Sequence, residues 1–149
     1  MEKPASLRKQ LQTALPELAA HPEKLRLFIT EGEIRPNKGT LGYQQHYTLS
    51  VFVEDTPLDP AYLNIAVIDW LQTAQPDILG PHRRNERPFT FEAEPLESDR
   101  WDILIELKLT ETVIARQDDK GQIHIHTKTE PHYQRELAGG IADIIGASR

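Results

Sequence analysis

Over residues 47–53 the apolar side chains Tyr47, Leu49, Val51 and Val53 alternate with Thr48, Ser50 and Phe52, and His46 continues the second series. A two-residue period of this kind belongs to a strand with one buried face. The pattern returns further along. Ile103, Ile105, Leu107 and Leu109 alternate with Asp102, Leu104, Glu106 and Lys108 over a long second strand. Two strands with one apolar face each require a covering layer, and the chain between them supplies one. From Ala61 to Ala74 it is apolar almost all the way round, with Tyr62, Leu63, Ile65, Ala66, Val67, Ile68, Trp70 and Leu71. Such a helix is buried on more than one side, against the sheet and against a neighbour. Asp59 is placed to cap it, Pro60 fits its first position, and Pro76 stops it.

The remaining elements fall around this frame. Leu7, Leu11, Ala14, Leu15 and Leu18 form one stripe of a helix from about Pro4 to Ala20, with Ser6 as cap or Pro4 in the first turn, and His21-Pro22 as its end. Leu25, Leu27 and Ile29 mark a strand. The turn-rich loop Arg35–Gly42 joins it to the strand through Tyr47 as an antiparallel hairpin. Phe89, Phe91 and Ala93 mark a third strand, and Asp118-Asp119-Lys120-Gly121 turns the long fourth strand into a fifth through Ile123, Ile125 and Thr127. The order α-β-β-α-β-β-β implies an α+β fold: a mainly antiparallel sheet of four to five strands with two helices packed on it. The expected organisation is a single domain over residues 1–130. Residues 131–149 form a C-terminal extension with Gly139-Gly140 and the apolar residues Leu137, Ile141, Ile144 and Ile145, a short helix or a tail that orders on a partner.

Composition removes several chemistries. The chain of 149 residues has no cysteine, so thiol nucleophiles, disulfides and cysteine-ligated metals are excluded. Its formal charge of −6 opposes general binding to a nucleic-acid backbone. No apolar run nears the roughly 20 residues of a membrane helix, and Met1–Gln12 has no apolar leader core, so a cytosolic protein is expected.

The candidates for chemistry are few. His124 and His126 share one face of the fifth strand, about 7 Å apart by the strand rise, and could begin a metal site. Zinc would need further ligands, and Glu130 and His132 lie beyond the strand, beside Pro131. A solvent-facing strand is the simpler account. The acidic residues Glu92, Glu94, Glu97, Asp99, Asp102 and Glu106 offer a carboxylate pair, yet Glu92 and Glu94 alternate away from the apolar positions and read as solvated. Arg83, Arg84 and Arg87 in one loop suit an acidic protein surface or a phosphate, or simply solvent. Trp70 and Trp101 read as core or interface anchors. Gly39-x-x-Gly42 lacks the lysine and the helix of a phosphate loop. No catalytic set emerges, so the residues describe a scaffold or interaction protein. Its rivals are a small metal-dependent enzyme using His124 and His126, and a monomeric protein-binding adaptor.

Three stretches carry a family resemblance. They are Glu31-Gly-Glu-Ile-Arg35 followed by Tyr43-x-x-x-Tyr47-Thr-Leu-Ser-Val-Phe-Val-Glu-Asp55; Trp70-Leu71-x-x-x-Gln75-Pro76-Asp77-x-Leu79; and Phe89-x-Phe91 followed by Asp102-Ile-x-Ile-Glu-Leu-x-Leu-Thr-Glu111. Their order and spacing resemble the tail completion protein R (GpR) family of contractile-tailed temperate phages, over about Leu7 to Pro131. The resemblance implies a structural protein of a virion or prophage, made in the host cytoplasm. Its implied task is to finish the head-proximal end of the tail tube so that a filled head can join, with no catalytic residue and no cofactor. The element order is similar to that of tail terminator proteins, which implies self-association into a ring, commonly hexameric, and contacts with tail-tube and head–tail connector proteins. Trp70, Arg83, Arg84 and Arg87 are the assembly contacts this reading suggests.

Overall fold

A computed structural model describes residues 1–81 and 86–128. Five strands form one antiparallel sheet: β1 (Leu25–Pro36), β2 (Tyr43–Thr56), β3 (Phe89–Leu96), β4 (Arg100–Gln117) and β5 (Ile123–Thr127). The spatial order is β1-β2-β4-β3, with β5 paired to β4. Thus the α+β class, the antiparallel sheet and the hairpin between the first two strands all stand as expected. β2 and β4 form the centre because both carry the long alternations. Tyr47 lies opposite Leu109, Leu49 opposite Leu107, Val51 opposite Ile105 and Val53 opposite Ile103. Each pair shares one face and is almost wholly buried.

The helices cover that face. They are α1 (Lys3–Ala14), α2 (Pro16–Ala20) and α3 (Pro60–Ala74). The single helix expected over Pro4–Ala20 is broken into α1 and α2. Pro16 lacks an amide proton and drives the preceding Leu15 into an extended conformation, φ −123° and ψ 97°. The apolar stripe survives the break, since Leu7, Leu11, Leu15 and Leu18 are all fully buried. For α3, Asp59 is the cap as expected, and its Oδ1 accepts from the Ala61 amide at 2.8 Å.

β1 is longer than its alternation suggested. It reaches Pro36 by way of a register shift between Thr30 and Glu33, with Glu31 at φ 55°. The bulged Glu31 accepts a hydrogen bond from the Thr48 hydroxyl at 3.1 Å. A second irregularity lies between Val53 and Thr56 of β2. There Asp55, at φ 48°, is held by Arg100, whose Nη2 donates to its carbonyl at 2.6 Å, and by Asp102, which accepts from its amide at 2.8 Å. Residues 82–85 and 129–149, and with them the proposed extension 131–149, lie outside the described residues.

Candidate functional site

A buried polar cluster lies at a gap in the sheet. β3 pairs with β4 as far as Leu107, and β5 pairs with it from Val113 onward. The Lys108 amide reaches Pro88 at 2.9 Å and the Thr112 carbonyl is reached by Lys128 at 2.9 Å, so the edge groups of Thr110 fall between the two strands. A buried backbone edge without partners would be costly. Two side chains take the place of the missing strand. Gln75 Oε1 accepts from the Thr110 amide at 3.1 Å, and Lys3 Nζ donates to the Thr110 carbonyl at 2.6 Å. Lys3 Nζ also donates to Gln75 Oε1 at 2.5 Å, which links the two plugs. The Gln75 amide nitrogen donates to Thr110 Oγ1 at 3.0 Å and to Asp77 at 2.8 Å. Gln75 stands where α3 ends, its own amide bonded to Leu71 O, and Pro76 begins a short 3-10 turn that holds Asp77 beneath it.

Glu111, the next residue of β4, is 2% exposed and does the same for α1. The N-cap residue of α1 offers no side-chain hydrogen bond. Instead, Glu111 Oε1 accepts from the amides of Glu2 at 2.8 Å and Lys3 at 3.2 Å, so a carboxylate satisfies the positive end of the helix. Its other oxygen accepts from Tyr47 Oη at 2.7 Å and from Gln45 at 3.5 Å. Burial, followed by this hydrogen bond, pushes the Tyr47 hydroxyl far above its usual range. The sequence held a signal for Glu111, since it continues the odd-numbered series from Ile103 to Leu109 and so belongs on the buried face. Gln75 showed only as part of a motif, without its role.

The residues singled out from sequence lie elsewhere. Trp70, 4% exposed, sits between α1 and α3, and its indole donates to Ser6 Oγ at 3.0 Å. Ser6 is therefore a partner inside α1 and not its cap. Arg87 is exposed, whereas Arg83 and Arg84 lie outside the described residues. His124 and His126 are exposed on β5. His124 pairs with Asp118 at 2.7 Å across the β4–β5 turn, and this hydrogen bond, then those from the Gln122 and Lys120 amides, holds the Asp118 carboxyl below its usual range. Among the described residues no three His, Cys, Asp or Glu side chains converge on a point that could hold a metal, and Glu130 and His132 lie outside them. Glu92 and Glu94 are exposed, on the face away from the helices. On α3, Ile65 and Ile68 are each 41% exposed, so the surplus apolar surface expected of this helix is present. No described helix is long and apolar enough to cross a membrane.

These features define a scaffold: the buried polar groups of Lys3, Gln75 and Glu111 are directed at backbone and at one another or their neighbours, locking helices onto a sheet, while apolar surface is left over on the outside. The model of the P2 phage tail completion protein R (GpR) family matches residues 1–131. The chain is also similar to the tail completion protein R of Escherichia phage P2, at 36% identity over 132 residues, covering 88% of this chain and 84% of that one. The chain belongs to this family of phage tail completion proteins and has a structural role in virion assembly. No solved structure gives a significant match.

Proposed function

We propose that the protein caps the head-proximal end of a contractile tail tube as a closed ring, of six subunits by its terminator-like element order, and presents the surface on which a filled head docks. The observation that carries this reading is the family match across residues 1–131. The fold is compatible with it. A ring needs a rigid subunit and a repeated heterologous contact. The plugged sheet supplies the rigidity, and Ile65 and Ile68 of α3 offer apolar surface for a neighbour. In this reading residues 1–130 act as one assembling domain, with 131–149 as an extension. The function is exerted by binding, without catalysis or cofactor, first in the host cytoplasm and then in the virion tail. Arg83, Arg84 and Arg87 contact an acidic patch on a neighbouring subunit or tail protein.

The test is electron microscopy of induced lysates with and without the gene. Free filled heads beside unjoined or overlong tails, restored by supplying the protein, are expected. Normally joined particles in the deletion would overturn the proposal. Replacing Arg83, Arg84 and Arg87 together by alanine should weaken assembly and leave the melting temperature nearly unchanged; assembly at wild-type levels would remove the arginine contact.

A further inference from the structure

The helix layer stops at Glu111, where α1 begins, but the sheet does not. On the same face the rows continue through Ile34 of β1, level with Glu111, and beyond it through Tyr43 of β2, Val113 and Ala115 of β4, and Ile123 and Ile125 of β5. Val113 is buried and Tyr43 and Ala115 partly so, but the outer residues are left uncovered by the described ones: Ile34 is 56% exposed, Ile123 60% and Ile125 68%. The outermost part is only a two-stranded ladder, with five pairs between Val113–Gln117 and Ile123–Thr127. Such a hairpin is marginal in water unless one of its faces is packed.

We propose that this apolar face is the docking site for the chain's own residues 129–149, folded back in cis. The chain leaves the described structure at the patch itself, since the Lys128 amide is bonded to Thr112 O beside Val113 and Thr127. The twenty-one residues that follow hold Leu137, Ile141, Ile144 and Ile145, which fall on one stripe at helical spacing. The eight residues between Lys128 and Leu137 let the two ends lie about 30 Å apart, ample to turn back over rows that begin at the exit point. A tether this short presents the segment at an effective concentration in the millimolar range, which favours it over a free second copy. Gly139-Gly140 weakens any helix the segment forms alone, so its order depends on the docking. The family match ends at residue 131 and so does not reach the apolar residues of this segment.

Hydrogen exchange of the full chain, read by mass spectrometry, tests this directly. The amides of residues 137–146 are expected to exchange at least about tenfold more slowly than an unstructured peptide, equally at two protein concentrations about tenfold apart. Ile144→Asp in the segment, and Ile125→Asp or Ile34→Asp in the patch, should each abolish that protection. Ile34→Asp guards against loss of the β5 hairpin itself, since it lies on β1. Unprotected amides in the wild type would overturn the proposal. So would protection that neither patch substitution changes, or protection that vanishes on dilution, which would assign the patch to another chain's segment.

Discussion

Replacing Gln75 with alanine tests whether a side chain can stand in for a missing strand. Gln75 is 2% exposed and makes four hydrogen bonds through its amide group, to the Thr110 amide and hydroxyl, Lys3 and Asp77. A neutral intramolecular hydrogen bond is worth about 1 kcal/mol net, one to a charged group somewhat more, and an orphaned buried amide costs about 1–3 kcal/mol. The Thr110 amide would be so orphaned, since the adjoining strands end on either side of it. Removing the γ-methylene and the carboxamide leaves a void that adds about 1 kcal/mol or more, and the smaller ordering cost of alanine offsets part of the total. The expected loss is about 3 kcal/mol, a large share of the stability of a typical domain. Urea unfolding at a slope of about 2 kcal/mol per molar should show the midpoint falling by about 1.5 M with the slope unchanged. Gln75→Met keeps the volume and removes only the polar atoms, so it should lose about 2 kcal/mol of that. An alanine variant within about 1 kcal/mol of wild type would refute the plug.

Other expectations follow from the same physics. Tyr47 has its proton held more tightly when folded than when unfolded, so its contribution is complete below about pH 10 and is lost as the pH rises above that; Tyr47→Phe should flatten the alkaline limb of a stability–pH curve. Asp55 lies on the opposite side of the sign. The Arg100 hydrogen bond holds its carboxyl below the usual range, so its contribution is present above about pH 4 and lost as the pH falls through the folded value. Arg100→Ala should bring the Asp55 titration, followed by carboxyl NMR, back up toward the ordinary one. A Cβ on Gly42 would meet Val113 O at 2.8 Å, so Gly42→Ala should cost about 1–3 kcal/mol in thermal unfolding as the β1–β2 loop is pushed off β4.

The sheet was legible in the sequence because its buried rows repeat with a period of two over β2 and β4, and α3 was legible from its cap and its proline. The break at Leu15 went unseen because the stripe from Leu7 to Leu18 runs across Pro16 without interruption. The extension of β1 past Glu31 was hidden by a bulge, which shifts the alternation by its extra residues. The polar cluster was the least legible part. Lys3, Gln75 and Glu111 are separated by most of the chain and carry types usually found on surfaces, so only the register of β4 could show that Glu111 points inward. Trp70 could be recognised as an anchor, but its Ser6 partner on α1 belongs to tertiary packing that no local pattern encodes.

The seating of α1 on Glu111 sets the order in which a nascent chain can mature. The hydrogen bond between the Glu2 amide and Glu111 joins residues 109 positions apart. α1 leaves the ribosome well before the carboxylate that closes its first turn emerges. Until then Leu7, Leu11 and Leu15 have no finished sheet to cover, and the β1–β2 hairpin carries its apolar face uncovered. Folding to the native state therefore waits until Glu111 has emerged, and until then the newly made chain is exposed to chaperone capture.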